Sequence, residues 1–195
     1  MRKLIDDAVS RGCDATIITS ETKDTSVSFD FNRLKTIKNT ESLNMNLQVI
    51  KAGKLGIANS TRIGGEDELL ENALDVAEYG SAVSYGFPAP EPHADPKVFH
   101  RDVQNLNVNQ MISLGDELAG FIKSLDPSIN GSVNIQKSVT QKGISNTHGL
   151  DAHLEKTAFV ISAGFEFVEG KNLLSSWDWD ISTALEYDLA KIKMK

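Results

Sequence analysis

Apolar and polar positions change period along this chain, and each change marks an element. Leu4, Ile5, Ala8 and Val9 fall at i, i+1, i+4 and i+5, which lines one face of a short helix that Gly12 ends. From Ala15 to Ser60 the period becomes two. Ile17 and Ile18 lie in a β-rich run, Val27, Phe29 and Phe31 alternate with Ser26, Ser28 and Asp30, and Leu43, Met45, Leu47 and Val49 alternate with Asn44, Asn46 and Gln48. Such alternation describes strands with one face buried and one wet. Asp30 to Arg33, Asn39 to Glu41 and Ala52 to Lys54 supply turn chemistry, so the pattern predicts a meander of about five short strands. Connections this short make the strands antiparallel.

A helical stripe follows at Leu69, Leu70, Ala73, Leu74, Val76 and Ala77, with Glu66, Asp67 and Glu68 in its first turn, where the helix dipole favours negative charge. Gly80 ends it. Phe87 to Pro96 holds four of the chain's five prolines, which predicts an extended strap with few amide donors. Beyond it, Asn107 and Gln110 form a capping box for a helix carrying Met111, Leu114, Leu118, Phe121, Ile122 and Leu125, stopped by Asp126-Pro127. Strands return at Val133 and Ile135, at Gly143 to Thr147, and in a long run where Phe159, Ile161, Ala163, Phe165 and Phe167 alternate with polar or small residues. Leu173 to Ser182 reads as irregular, and Thr183 to Lys193 as the start of a further helix. The fold class predicted is α+β: antiparallel meanders packed with helices in two small subdomains. Residues 1–86 form the first, 87–106 the Pro-rich linker, and 107–195 the second.

Composition narrows the classes of function. The 195 residues carry 20 Lys+Arg against 27 Asp+Glu, a net charge of −7, which argues against duplex DNA as a partner because phosphate neutralisation needs clustered cations. A 40% hydrophobic content supports a real core. No apolar run approaches the roughly 18 residues that span a bilayer. Asp6 and Asp7 stand where a secretory signal needs an apolar stretch. The single cysteine, Cys13, forms no internal disulfide and suits a reducing compartment, so a cytoplasmic location is expected.

Candidate chemistry is sparse. The histidines are His93, His100, His148 and His153. His148 and His153, five apart, invite a metal reading; Gly149 stands where a helical zinc hydrolase carries its general-base Glu, which favours a solvated β-turn instead. Asp178 and Asp180 flank Trp179 and point to one side of an extended segment, either as a hard-cation site or as wet neighbours of Trp177 and Trp179 docked on the body. Cys13, between Arg11 and Asp14, lacks the electropositive setting of a nucleophile. Ala52-Gly53-Lys54-Leu55-Gly56 lacks the spacing of a phosphate loop and reads as a hairpin turn. No serine lies in a Gly-x-Ser-x-Gly elbow.

The ordered pattern carries more information than any residue in it. Thr25 to Phe29, Asn32 to Ile37, Glu41 to Ile50 and Gly53 to Ala58 resemble the amino-terminal segment of the TldD/PmbA family, whose members are often labelled modulators of DNA gyrase. The resemblance continues through Glu68 to Leu74 and the Pro-rich strap, and Ile144 to Leu150 looks like the family's Asn-Ser/Thr-x-Gly strand-turn element. Gly64-Gly65 departs from the usual Ser or Thr cap, the match weakens from Leu173 on, and the His-Glu-x-x-x-His helix of the catalytic branch is missing.

Complete family members run to more than twice this length. The resemblance therefore implies the amino-terminal, non-catalytic portion of a cytoplasmic peptidase. In that family a zinc-bearing subunit pairs with a zinc-free one and cuts unfolded peptides inside a closed dimer. It assigns this chain no catalytic, cofactor-binding or metal residue, leaves zinc to a full-length member, and implies a homo- or hetero-oligomer with a paralogous subunit, without nucleic acid or membrane. Activity alone is not expected. The other reading is a stand-alone binding or regulatory module that dimerises through its sheets.

Overall fold

The structure, a computed structural model, describes residues 2–92 and 94–188. In chain order the elements are α1 (Arg2–Ser10), β1 (Asp14–Asp30), β2 (Arg33–Lys51), β3 (Lys54–Ser60), α2 (Glu66–Tyr79), α3 (Arg101–Asn105), α4 (Val108–Leu125), β4 (Asn130–Asn146), β5 (Asp151–Glu169) and β6 (Asn172–Ser182). The strands make one antiparallel sheet in the order β3-β2-β1-β4-β5-β6, an α+β fold.

The meander differs from the expected one in length. Three long strands, not about five short ones, cover 14–60. Two of the predicted turns are real: Phe31 and Asn32 (φ 50° and 57°) and Ala52 and Gly53 (φ 50° and 76°) have the paired positive φ angles that match strand twist in a two-residue hairpin. The third, Asn39 to Glu41, runs on as strand inside β2. In β1, the polar run from Ser20 to Asp24 is held by side chains of β4. The Thr22 and Thr140 hydroxyls hydrogen-bond at 3.1 Å, and Ser138 donates to the Asp24 carboxylate.

The second half differs in the same way. β4 is one strand where two were expected, and a short helix, α3, interrupts the predicted 87–106 linker. Leu173 to Ser182, expected to be irregular, is β6, paired with β5 over eleven positions from Phe159↔Ser182 to Glu169↔Asn172. Residues 183–188 hold no helical turn, and the remainder of the helix expected to reach Lys193 lies outside the described residues.

Two compact units emerge, each drawn from three stretches of chain: 1–22, 42–96 and 140–155 in the first, and 23–41, 97–139 and 156–195 in the second. One junction falls after Pro96, at the end of the strap, while the others fall inside strands. Neither unit coincides with a single stretch such as 1–86 or 107–195.

The first unit packs α1 and α2 on the inward residues of β1 and β2. Leu4, Ile5, Ile17, Leu47, Val49, Leu69 and Leu70 are buried there. Gly56 permits the approach of α2 to β3: a Cβ at that position would fall on the Ala73 carbonyl oxygen and 2.6 Å from the Ala77 amide nitrogen. Gly80 likewise stands close to the Leu55 carbonyl, and its φ of −67° shows that proximity, not a left-handed cap, selects glycine there.

The second unit buries one side of α4, through Met111, Leu118 and Ile122, against Val27, Phe29, Ile135, Phe159 and Ile161. Both halves of the expected capping box are present: Gln110 N–H donates to Asn107 Oδ1 at 3.0 Å, and Asn107 N–H to Gln110 Oε1 at 2.9 Å. Gly115 makes room for the Phe29 ring against α4.

Candidate functional site

The densest polar construction in the first unit is the turn between β4 and β5. Asn146 is 4% exposed and organises it. Its Oδ1 accepts from the His148 and Leu150 amides, each at 3.0 Å, and its Nδ2 donates to the Pro88 carbonyl at 2.7 Å. Gly149, at φ +86°, closes the turn in a conformation that side chains resist. Thr147 then ties it to the start of β1: its amide donates to the Ala15 carbonyl at 2.9 Å, and its hydroxyl accepts from the Ala15 amide at 3.1 Å. The sequence pattern Asn-Thr-His-Gly thus has a mechanical explanation, because the Asn146 amide fixes the turn and the strap, and Thr147 ties the turn to the start of β1.

The histidines flanking this turn do not converge. His148 Nε2 lies 3.3 Å from Asp14 Oδ1, and His153 Nε2 lies 3.3 Å from Asp151 Oδ1. Each imidazole therefore has its own carboxylate. No group of three or more His, Cys, Asp or Glu gathers to hold a metal among the described residues. His93 lies outside the described residues. His100 precedes α3, where its amide donates to Thr157 Oγ1 at 2.9 Å.

Beside the turn lies an open groove of about 520 Å³, lined by Arg2, Asp6, Asn146, Leu150, Asp151 and His153 among others. Ser145 Oγ donates to Asp151 Oδ1 at 2.8 Å, so the hydroxyl is committed to a carboxylate and not to an imidazole. A nucleophile needs a base in contact with it, and here the aspartate stands between serine and histidine. The groove presents hydrogen-bonding and charged groups, which suits binding.

Cys13 is buried, and burial pushes its thiol above the ordinary value, opposite to what an activated thiolate requires. Lys137 is shifted down by burial, and its ammonium donates to the Gln104 carbonyl at 2.8 Å.

The tryptophan pair overturns an expectation. Trp177 and Trp179 do not dock on the body: they stand on one face of β6 with 72% and 48% exposure. Asp178 and Asp180 take the opposite face and are the half-buried ones. The strand reverses the usual arrangement of apolar in and polar out, so a sequence argument from hydrophobicity orients it wrongly.

One important residue escaped sequence reasoning. Thr157 is fully buried; its hydroxyl donates to the Thr183 carbonyl at 2.6 Å while accepting from the His100 amide, and its own amide donates to the Val98 carbonyl at 3.0 Å. A lone threonine in a strand carries no signal of such a role.

By architecture, this is an α+β protein built on a six-stranded antiparallel sheet with helices packed on it. Residues 15–78 match the PmbA/TldA metallopeptidase domain 1 family. The match covers that segment, about a third of the chain, and together with the solved structures below it fits an N-terminal portion of the TldD/PmbA family. Among solved structures, TldE from Thermococcus kodakarensis is similar over 99% of this chain and 45% of its own length, at 17% identity with a TM-score of 0.84. A protein from Thermotoga maritima described as a candidate modulator of a DNA gyrase is similar over 98% and 45%, at 18% identity and a TM-score of 0.83. A third, from Bacteroides thetaiotaomicron and described as a candidate modulator of DNA gyrase, is similar over 94% and 44%, at 16% identity and 0.83. At these identities the likeness concerns the fold. The chain spans less than half the length of each. No curated protein matches it. No helix among the described residues is long and apolar enough to cross a membrane.

Proposed function

We propose that this chain acts as the N-terminal, non-catalytic portion of a TldD/PmbA-like peptidase, shaping the peptide channel and the subunit interface while zinc-dependent cleavage belongs to a C-terminal half. The observation that carries the reading is coverage: nearly all of this chain superposes on less than half of each of the solved structures described above. The separate His-Asp pairs support a binding role, since neither imidazole in them contacts a nucleophile. Oligomerisation with a paralogous subunit and a cytoplasmic location belong to the same proposal.

The test is reconstitution. The chain alone, then the chain with a polypeptide carrying the C-terminal half and with a paralogous subunit, is incubated with an unfolded peptide in the presence and absence of a chelator. Cleavage is expected only in the reconstituted mixture and is lost with chelator. Cleavage by the chain alone, or cleavage that the chelator leaves intact, refutes the assignment.

A further inference from the structure

The helix α1 divides its charged side chains in a way that the reading above leaves unused. Lys3 pairs with Asp67 at 3.0 Å and with Asp7 at 4.0 Å, and Arg11, just past the helix, pairs with Glu71 at 2.6 Å. Arg2 and Asp6 make no ion pair or side-chain hydrogen bond among the described residues. They stand one turn apart, and with Ile5 and Val9 they form an i, i+3, i+4, i+7 stripe that makes one wall of the open groove beside the β4–β5 turn. A cation placed before an acid at this spacing is the weaker order for a pair within a helix, so both charges are left to the groove.

The opposite wall supplies a second acid. Ser145, 8% exposed, donates to Asp151 Oδ1 at 2.8 Å, and His153 Nε2 lies 3.3 Å from the same oxygen. Both contacts use Oδ1, which orients the carboxylate and leaves Oδ2 without a partner among the described residues. Leu150 adds apolar surface on this side and Val9, 56% exposed, on the other. A pure anion in the groove would meet Arg2 but also two carboxylates, and a pure cation would meet the carboxylates but also Arg2. A zwitterion matches both signs. Along α1 the order is cation, anion, apolar side chain, spread over about 10 Å by the helical rise. The complement of that order is carboxylate, ammonium, aliphatic side chain, which is a free α-amino acid.

We propose that the groove between α1 and the β4–β5 turn is a binding site for a free α-amino acid with an aliphatic side chain. Arg2 holds the carboxylate through its two-pronged guanidinium. Asp6 and Asp151 hold the ammonium from the two walls, and Val9 and Leu150 cover the side chain. This goes beyond the peptidase reading, because it requires neither metal nor cleavage and stands whether or not reconstitution restores proteolysis.

Isothermal titration calorimetry of the 195-residue chain with L-leucine tests it. The comparison compounds are N-acetyl-L-leucine, which lacks the ammonium, and L-leucinamide, which lacks the carboxylate. Leucine is expected to bind saturably, with a Kd of about 1 mM or tighter, and each capped compound about tenfold more weakly or worse. The variants Arg2→Gln and Asp6→Asn each remove one charge from an exposed position, so far-UV spectra and Tm are expected to stay unchanged. Arg2→Gln is expected to bind leucine about tenfold more weakly and to lose the preference for leucine over leucinamide. Asp6→Asn is expected to weaken leucine similarly and to lose the preference over N-acetyl-leucine. No saturable binding of leucine at roughly 10 mM, equal binding of all three compounds, or selectivity that survives both substitutions overturns the proposal. So does leucinamide binding as tightly as leucine, which would make the groove a cation site.

Discussion

Replacing Thr157 by Val keeps the shape of the side chain and removes its hydroxyl, which makes it a direct test of what the buried threonine contributes. The hydroxyl donates to the Thr183 carbonyl at 2.6 Å and accepts from the His100 amide at 2.9 Å. The substitution strands both backbone groups, at about 1–3 kcal/mol for each when water cannot replace the partner. His100 and Thr183 are half-buried, so the lower half of that range applies, roughly 2–4 kcal/mol in sum. Burying a methyl group in place of the hydroxyl returns less than ~1 kcal/mol. The net loss is therefore about 2 kcal/mol, and for a chain of this size it lowers Tm by roughly 4–8 °C. Differential scanning calorimetry of the wild type, Thr157→Val and Thr157→Ser measures it. The serine variant keeps the hydroxyl and is expected to lose only about 1 kcal/mol, for the missing methyl. A valine variant as stable as the wild type would show that these hydrogen bonds contribute nothing net.

Gly56→Ala is expected to cost roughly 3 kcal/mol, the upper range for overpacking, since α2 must move off β3 to clear the Ala73 carbonyl; urea unfolding checks this, and a cost under ~1 kcal/mol contradicts the close approach. Asn146→Ala removes the partner of two amides and a carbonyl in the β4–β5 turn, with an expected loss of about 2–4 kcal/mol and faster hydrogen exchange at the His148 and Leu150 amides, read by NMR. For Cys13, burial raises the folded-state thiol value, so the folded protein holds its proton more tightly than the unfolded one. That contribution is fully present below the ordinary thiol value of 9.0 and falls away as pH rises above it. Stability of the wild type is therefore expected to drop faster above pH 9 than that of Cys13→Ala, and equal slopes refute the shift.

Much of the helical part was legible from single elements. The stripes of α2 and α4, the acidic first turn of α2 and the Asn107–Gln110 box act within a few residues, and the structure contains each of them. The strand ends were not legible, because a strand is as long as its neighbour's ladder permits. β1 continues through Ser20 to Asp24, and β2 through Asn39 to Glu41, by main-chain pairing that disregards side-chain polarity.

The candidate site divides along the same line. Asn146-Thr147-His148-Gly149 stood out in the sequence, since a turn needing a positive φ and an amide cap writes itself locally in residue types. Thr157 did not, because its partners His100 and Thr183 lie 57 and 26 residues away. Nor did the outward tryptophans of β6, whose orientation depends on the register with β5. By itself the sequence determined the helices α1, α2 and α4, the two hairpin turns at Phe31-Asn32 and Ala52-Gly53, the α+β class and the family pattern, all local or ordered features. Tertiary structure alone decided strand length, which face of β6 meets solvent and the pairing of His148 with Asp14, because each depends on contacts between residues distant along the chain.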